Sequence, residues 1–248
     1  MSISRHTAEP LVRGYAVTHP TGRVVLPIEA GWDQLLYAAS GVMTISARSG
    51  TWVIPAHRAL WLPDGTSASV RTRGRAAVRC LYLSTSLRVL PAQPQALNVP
   101  PLVRELLLHA VKSCPLDLGH RPHAALLTLL LDQLGTAPEA PLQLPAPKEE
   151  RARRLAAAMA ADPAEDLASL VRGVGASRRT LDRAFVADTK MTLAAWHRRA
   201  RMLRALELLA EGASVTTTAV SVGYATPSSF VAACRQELGV TPGQLVPR

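Results

Sequence analysis

GASRRTLDRAF at residues 175–185 and GYATPSSFVAACR at residues 223–235 are two copies of one short pattern. Each copy begins with a glycine suited to a tight turn, continues with a Ser or Thr that can cap a helix, and ends in a helix with one apolar face. This order is typical of a helix-turn-helix motif. Two such motifs joined by one long basic helix predict a protein that contacts two adjacent turns of double-stranded DNA.

The charge of the chain agrees with a polyanionic partner. The 248 residues carry a formal net charge of +10, and 48% of them are hydrophobic, so the chain can bury a core. The charge alone fits nucleic acid or an anionic membrane, but it is concentrated around the first motif. Between Arg172 and Arg204 nine basic residues face only Asp182 and Asp188. This distribution favours nucleic acid.

Several classes of protein are disfavoured by what the sequence lacks. The three cysteines are far apart, which argues against a disulfide framework or a zinc knuckle. The first ten residues contain no apolar run of the kind a signal peptide needs, and no stretch approaches 18 uncharged apolar residues. We therefore expect a cytoplasmic protein that does not span a membrane.

The apolar periodicity changes along the chain and predicts an α+β protein. Short runs between about residues 13 and 83 alternate with turn signals, as in an antiparallel barrel or sandwich. The predicted strands are Arg23–Leu26, Gln34–Ala38, Val42–Ala47, Thr51–Pro55, Ala59–Leu62, Ser67–Thr72 and Val78–Leu83. The predicted parts are a barrel at 1–90, a helical segment at 98–136, a linker at 137–147 and a DNA-binding domain at 148–248.

The middle of the chain connects the two predicted domains. Leucine-rich helices are predicted from Leu102 to Val111 and from Ala125 to Leu134, the second opening near Arg121. Their apolar faces fit either packing against the barrel or a homodimer interface, and both remain open on different faces. Four prolines between Gly135 and Pro147 predict an extended, semi-rigid spacer.

Helix-capping residues divide the C-terminal domain into segments. Helices are predicted at Glu149–Ala161, from Asp166 to about Val174, and then at Arg178–Asp188, Leu193–Ala210, Val215–Val222 and Pro227–Glu237, the last four capped by Ser177, Thr192, Ser214 and Thr226.

The first recognition helix is rich in hydrogen-bond donors. With Leu181, Ala184 and Phe185 facing inward, the outward or N-terminal positions hold long basic and small polar side chains. Arginine is the commonest protein ligand of guanine in the major groove, and a carboxylate there accepts from cytosine or fixes an arginine rotamer. The predicted DNA-binding residues of this unit are Ser177, Arg178, Arg179, Thr180, Asp182 and Arg183.

The second recognition helix has few long donors. Its outward positions support contacts with thymine methyl groups, one serine hydrogen bond and phosphate contacts. Its predicted DNA-binding residues are Thr226, Pro227, Ser228, Ser229, Ala232 and Arg235, and the connecting helix adds Arg198 and Arg201 as phosphate contacts. The first helix should therefore supply most base discrimination, and the second mainly affinity and register.

These residues carry a family resemblance. From about residue 147 to the end the chain resembles the DNA-binding domain of the AraC/XylS family of bacterial transcription regulators. The resemblance implies that both recognition helices enter successive segments of the major groove. The chain departs from the family pattern at Cys234, where an aromatic residue is usual, at Val171 and Leu245, and at Gly173, a poor helix former costing about 1 kcal/mol. Matching residues are Gly175, Ser177, Arg178, Leu181, Arg183, Phe185, Arg201, Ala205, Leu208, Leu209, Gly223, Tyr224, Phe230, Arg235, Gly239, Thr241 and Pro242.

The N-terminal part contains five apolar and aromatic segments, at Trp32–Ala38, Gly41–Met43, Thr51–Pro55, Arg58–Pro63 and Leu81–Leu83. Through these segments, about residues 15–90 resemble the cupin-like sensor of a subgroup of this family. Gln34 and Ala68 stand where metal-binding cupins have Glu and His, and neither His19 nor His57 has metal-ligand spacing to another histidine. We therefore predict no metal and no other cofactor. An aromatic-walled pocket for a small organic effector is predicted at Trp32, Leu36, Trp52, Trp61 and Tyr82, with core packing as the alternative for the same residues.

The sequence thus predicts a sequence-specific transcriptional regulator and not an enzyme. It would bind DNA as a homodimer, either constitutively or in response to a small organic effector, and RNA polymerase is a further candidate partner. One alternative is a metal-independent cupin enzyme with an accessory basic domain. Another is a module that only binds RNA polymerase, which the arginines of the first recognition helix disfavour.

Overall fold

The computed structural model describes residues 10–87, 91–239 and 241–245, and it confirms the predicted α+β class. The N-terminal part contains two antiparallel five-stranded sheets, with strand orders β1-β8-β3-β6-β9 and β10-β5-β4-β7-β2. The strands are β1 Val12–His19, β2 Gly22–Val25, β3 Trp32–Ser40, β4 Val42–Ala47, β5 Gly50–Pro55, β6 Arg58–Leu62, β7 Ala68–Thr72, β8 Ala76–Ser84, β9 Gln95–Asn98 and β10 Gln143–Pro145.

The alternation of side chains along β3 explains why the first sheet is buried on both faces. Leu36 points into the core shared with the second sheet, whereas Leu35 and Tyr37 join a separate core on the opposite face. A strand buried on both faces has no polar side to show, which accounts for the continuous apolar run in this segment.

Two helices, α1 Pro101–Ser113 and α2 Arg121–Gly135, cover that outer face. Val103 and Leu107 of α1, and Leu127 and Leu130 of α2, are buried in the same core as Leu35. The two helices therefore pack against the outer face of the first sheet. Leu102 and Leu129 remain 52% and 43% exposed, so the dimer interface stays a prediction for that face.

The predicted proline-rich linker is partly strand. β10 pairs with β5 at the edge of the second sheet, and Leu142 and Leu144 are buried. The spacer interpretation was wrong here because a strand at a sheet edge tolerates proline, which needs no donor on its free side. Strands β1 and β9 were also missing from the predicted set.

The C-terminal helices agree closely with the predicted segments, and six of them lie within a residue or two of the predicted bounds. They are α3 Glu150–Ala161, α4 Leu167–Gly173, α5 Arg178–Thr189, α6 Leu193–Ala210, α7 Val215–Ser221, α8 Pro227–Leu238 and the short α9 Pro242–Leu245. Gly173 is the last residue of α4, so the predicted cost of an internal glycine does not apply in full. None of the described helices has both the length and the apolar character needed to cross a bilayer.

Helix α6 belongs to two cores at once. Trp196 and Leu203 pack with Leu181 and Phe185 of the first unit, in a core continuous with the interior of the barrel. Met202 and Ala205, on another face of α6, pack with Phe230 and Cys234 of the second unit. Helix α6 therefore contributes to the placement of both units.

Candidate nucleic-acid interface

The first helix-turn-helix unit consists of α4, a turn at Gly175 and α5. Gly175 has a φ of 66°, a left-handed conformation that favours glycine. The Ser177 hydroxyl then accepts a hydrogen bond from the Thr180 backbone N–H at 3.2 Å, which satisfies one of the free donors at the start of α5.

The two faces of α5 differ sharply in chemistry. Leu181 and Phe185 are buried, and the Phe185 ring meets Trp196 of α6 edge to face, with ring centroids 5.7 Å apart. The exposed side carries five of the predicted DNA-binding residues, namely Ser177, Arg178, Arg179, Thr180 and Arg183. Neither Arg179 nor Arg183 has a carboxylate partner among the described residues, so both guanidinium groups face solvent as uncompensated donors.

Asp182 is held inside the unit. Its Oδ1 accepts from the Leu193 N–H at the start of α6, at 3.2 Å, and its Oδ2 lies 3.8 Å from Arg178 Nε. The carboxylate therefore fixes the junction of α5 and α6 and orients Arg178. Of the two roles predicted for Asp182, these contacts fit the orientation of an arginine.

The second unit repeats the first position by position. Thr226 accepts from the Ser229 N–H at 3.1 Å, as Ser177 does from Thr180. Counted from these caps, Phe230 and Cys234 occupy the places of Leu181 and Phe185, and all four are buried. The small Cys234 side chain fits this core because Met202 fills the space beside it, with the two sulfurs 3.1 Å apart.

The outward positions of the two units are not equivalent. Ser228 stands at the place of Arg179, and Ala232 at the place of Arg183. The six residues of the second unit that are predicted to contact DNA are all exposed, namely Thr226, Pro227, Ser228, Ser229, Ala232 and Arg235. Arg235 lies two turns along α8, where α5 has the exposed Val186.

Comparison with known proteins agrees with this geometry. A family model described as a helix-turn-helix domain matches residues 170–248. The HTH-type transcriptional regulator NimR of Escherichia coli is 27% identical over 93% of this chain and 89% of its own length. Residues 170–248 therefore form a helix-turn-helix domain of the kind found in transcriptional regulators. A second regulator, RipA of Corynebacterium glutamicum, is 34% identical over 46% of this chain and 33% of its own length. A crystal structure of ToxT from Vibrio cholerae superposes with a TM-score of 0.39 and 11% identity, covering 96% of this chain and 95% of that one.

The arginines of α6 have different surroundings. Arg198 is exposed and lies 3.5 Å from Glu237 of α8, a surface pair that leaves it available to phosphate. Arg201 Nε instead donates to the Val222 carbonyl oxygen, and its guanidinium lies 4.3 Å from the centre of the Tyr224 ring. These contacts give Arg201 a structural role in the second turn that the sequence analysis missed. Its spacing from the Gly223-Tyr224 pair was the available signal.

Burial changes the ionisation of several groups behind the recognition helices. Desolvation lowers the pKa of His197, although the Pro163 carbonyl, which accepts from Nε2 at 3.0 Å, partly opposes that change. Burial raises the pKa of Tyr224 and raises that of the Cys234 thiol to about 12. All three are therefore neutral near pH 7.

The N-terminal β domain contains an apolar cavity of about 180 Å³. Its lining residues are Tyr15, Val17, His19, Val24, Leu26, Pro27, Leu36, Met43, Val70, Val78, Cys80 and Tyr82. Buried Leu36, Met43, Val70 and Val78 form the inner wall, whereas exposed Tyr15 lies at the side of the edge strands.

The predicted aromatic pocket corresponds only in part to this cavity. Leu36 and Tyr82 line it, but Trp32, Trp52 and Trp61 do not. Trp61 packs in the outer core beneath α1 and α2, and Trp52 is buried in the inner core, so core packing accounts for both. Arg13 lies over the half-buried Trp32 ring at 4.1 Å. The sequence analysis did not predict the part of the cavity wall that β1 forms. The alternation of Tyr15, Val17 and His19 along this strand was the available signal.

Within the described residues no group of three or more His, Cys, Asp or Glu side chains is arranged to hold a metal ion. Gln34, at the place of a cupin glutamate, donates from Nε2 to the Pro27 carbonyl at 2.9 Å. His57 is hydrogen-bonded through Nδ1 to the Tyr37 hydroxyl at 3.1 Å, which accounts for it structurally.

Proposed function

We propose that this regulator recognises its operator with two recognition helices, α5 and α8, that differ in how much base discrimination they supply. The observation that carries the proposal is the contrast at equivalent positions, where α5 presents Arg179 and Arg183 and α8 presents Ser228 and Ala232. Two arginines offer bidentate hydrogen bonds to guanine, whereas Ser and Ala offer one short donor and a methyl contact. The α5 unit thus supplies base discrimination, and the α8 unit supplies affinity and register.

A salt series on promoter fragments tests DNA binding itself. Phosphate contacts release counterions, so log K falls linearly with log salt, by about 0.9 per phosphate neutralised. Footprints should cover two major-groove segments about one helical turn, roughly 34 Å, apart. Binding that is indifferent to salt, or protection of one segment only, contradicts the proposal.

We further propose that the cavity binds a compact, uncharged and largely apolar effector. The residues that line this cavity include no Asp, Glu, Lys or Arg, and burial raises the pKa of Cys80 to about 12 and also raises that of Tyr82. A charged ligand would lose its hydration without gaining an ionic partner. An apolar protein cavity of about 150 Å³ holds one benzene molecule, so a single aromatic ring suits this volume.

The effector class is tested with toluene as the probe and benzoate as its charged counterpart. Toluene should raise the melting temperature of the whole chain, and benzoate at equal concentration should not. Val78→Phe, which fills the inner wall of the cavity, should remove the toluene effect. Stabilisation by benzoate alone, or by toluene equally in the filled variant, contradicts this site.

Protein partners complete the proposal. The exposed Leu102 of α1 and Leu129 of α2 support a homodimer through the outer helices, since paired half-sites suit a twofold protein. The exposed Val186 and Val220 of the DNA-binding domain are apolar surface of a kind that suits RNA polymerase beside the operator. Such a regulator works in the cytoplasm, where the chromosome lies, and its chemistry is binding and not catalysis.

A further inference from the structure

Two strands of the barrel present one face to the cavity and the other to α6. Met43 of β4 and Val70 of β7 line the cavity, and the next residue in each strand, Thr44 and Arg71, contacts Glu207. Thr44 and Arg71 are also direct partners in the β4–β7 register. Because side chains alternate across a strand, a displacement of these strands from the cavity side is transmitted directly to the contacts with Glu207.

Glu207 is an unusual residue for the interior of a domain interface. It is 6% exposed and lies on α6 near the buried Leu203 and Leu206. Thr44 Oγ1 donates to its Oε1, and Arg71 Nη2 lies 3.5 Å from the same oxygen. Arg73 Nε lies 3.6 Å from Oε2, and Arg204 Nη1 donates to Oε2 at 2.9 Å. Three of these four contacts come from the barrel.

The energetics of this cluster favour a positioning role over simple adhesion. Removing a carboxylate from water is costly, and a buried ion pair often contributes no more stability than apolar packing would. Its better-attested use is to fix one arrangement of two elements. The Arg73 Nε is buried without a hydrogen bond among the described residues, so the shell around Glu207 is incompletely satisfied and sensitive to small displacements.

We propose that Glu207 is the positioning residue through which β4 and β7 report the state of the cavity to the two DNA-binding units. The proposal rests on the function proposed above, because α6 matters to DNA only if it carries both units. A shift of α6 relative to the barrel changes the core of the first unit and, through Met202 and Ala205, that of the second.

A double-mutant cycle tests the route without an identified effector. Val70→Leu presses on β7 from the cavity side, and Glu207→Gln removes the charge at the other face. Val70→Leu should change the dissociation constant for operator DNA about two- to thirtyfold, and it should alter amide hydrogen exchange along α6. Both changes should disappear in the Glu207→Gln background. Glu211→Gln is the matched control, because Glu211 lies one turn further on and contacts Arg73 and Arg204 but not Thr44.

Each outcome of the cycle decides the proposal. The proposed route is overturned if Val70→Leu changes neither DNA affinity nor hydrogen exchange along α6. It is also overturned if Val70→Leu changes both by the same amount whether residue 207 is Glu or Gln. Loss of coupling with Glu211→Gln as well overturns the specific role of Glu207. If no variant binds DNA, the proposed function fails, whereas hydrogen exchange along α6 still decides the coupling. Should Glu207→Gln not fold, Thr44→Val keeps the carboxylate with its three arginines and is expected to weaken the coupling in the same direction.

Discussion

At the scale of single residues, two arginines of α6 have different roles. Arg201 donates to the Val222 carbonyl and lies over the Tyr224 ring, whereas Arg198 pairs with Glu237 at the surface. Their positions in the sequence are nearly alike, and composition cannot separate them. Arg201 differs from Arg198 because the turn after α7, at Val222 and Tyr224, packs against α6 at Arg201.

We therefore expect Arg201→Ala to lower the free energy of unfolding by about 1–3 kcal/mol, since it removes a charge-assisted hydrogen bond and a cation–π contact. Arg198→Ala should cost at most about 0.5 kcal/mol. Urea unfolding of both variants measures the difference. Equal stability losses would show that Arg201 is an ordinary surface arginine.

At the scale of elements, the two turns look alike in sequence but not in packing. Gly175 and Gly223 both have positive φ, 66° and 77°. A Cβ on Gly175 would meet nothing within 4 Å, whereas one on Gly223 would lie 2.9 Å from Arg201 Nη2 and 3.2 Å from the Ala164 backbone.

Gly175→Ala should accordingly cost about 1–2 kcal/mol through backbone strain alone. Gly223→Ala should cost more, because Ala164 backbone or the Arg201 contact must also move. Thermal unfolding of the matched pair gives the comparison. A larger loss for Gly175→Ala would contradict the close approach at the second turn.

The junction between α6 and the α3–α4 connection predicts a pH dependence. The pKa of His197 is lowered in the folded state, so the unfolded chain binds more protons as the pH falls through about 6.5, the ordinary value for histidine. The stability linked to this group is fully present above that pH and declines below it. His197→Gln should flatten this part of the curve of unfolding free energy against pH. An unchanged curve between pH 7 and 5 would show that another group is responsible.

At the scale of the whole molecule, the sequence was most informative where its signals are local. Caps such as Ser177, Thr192 and Thr226 define helix starts by bonds that span three residues, and the predicted bounds of α5, α6 and α8 are correspondingly good. The exposure of Arg179 and Arg183 also follows from helical periodicity alone.

Long-range packing escaped prediction for a physical reason. The placement of β10 at a sheet edge depends on β5, which lies about ninety residues earlier. The burial of Glu207 depends on Thr44, 163 positions away, and the distribution of tryptophans between inner and outer cores depends on which sheet face meets the helices. No local pattern encodes these pairings, so the exposed face of α5 was predictable from the sequence, and the cavity and domain interface were not.

The most direct test of the different roles of α5 and α8 is to measure which bases the unaltered protein prefers at each position of its DNA site, and then to repeat the measurement with variants of each helix. Arg179→Ala and Arg183→Ala should each weaken binding by about 1–3 kcal/mol and flatten the preference at guanine positions of one half of the site. Ser228→Ala, the equivalent change in α8, should cost less and leave the profile intact. Equal losses at both helices, or a preference that survives without the two arginines, would contradict the account.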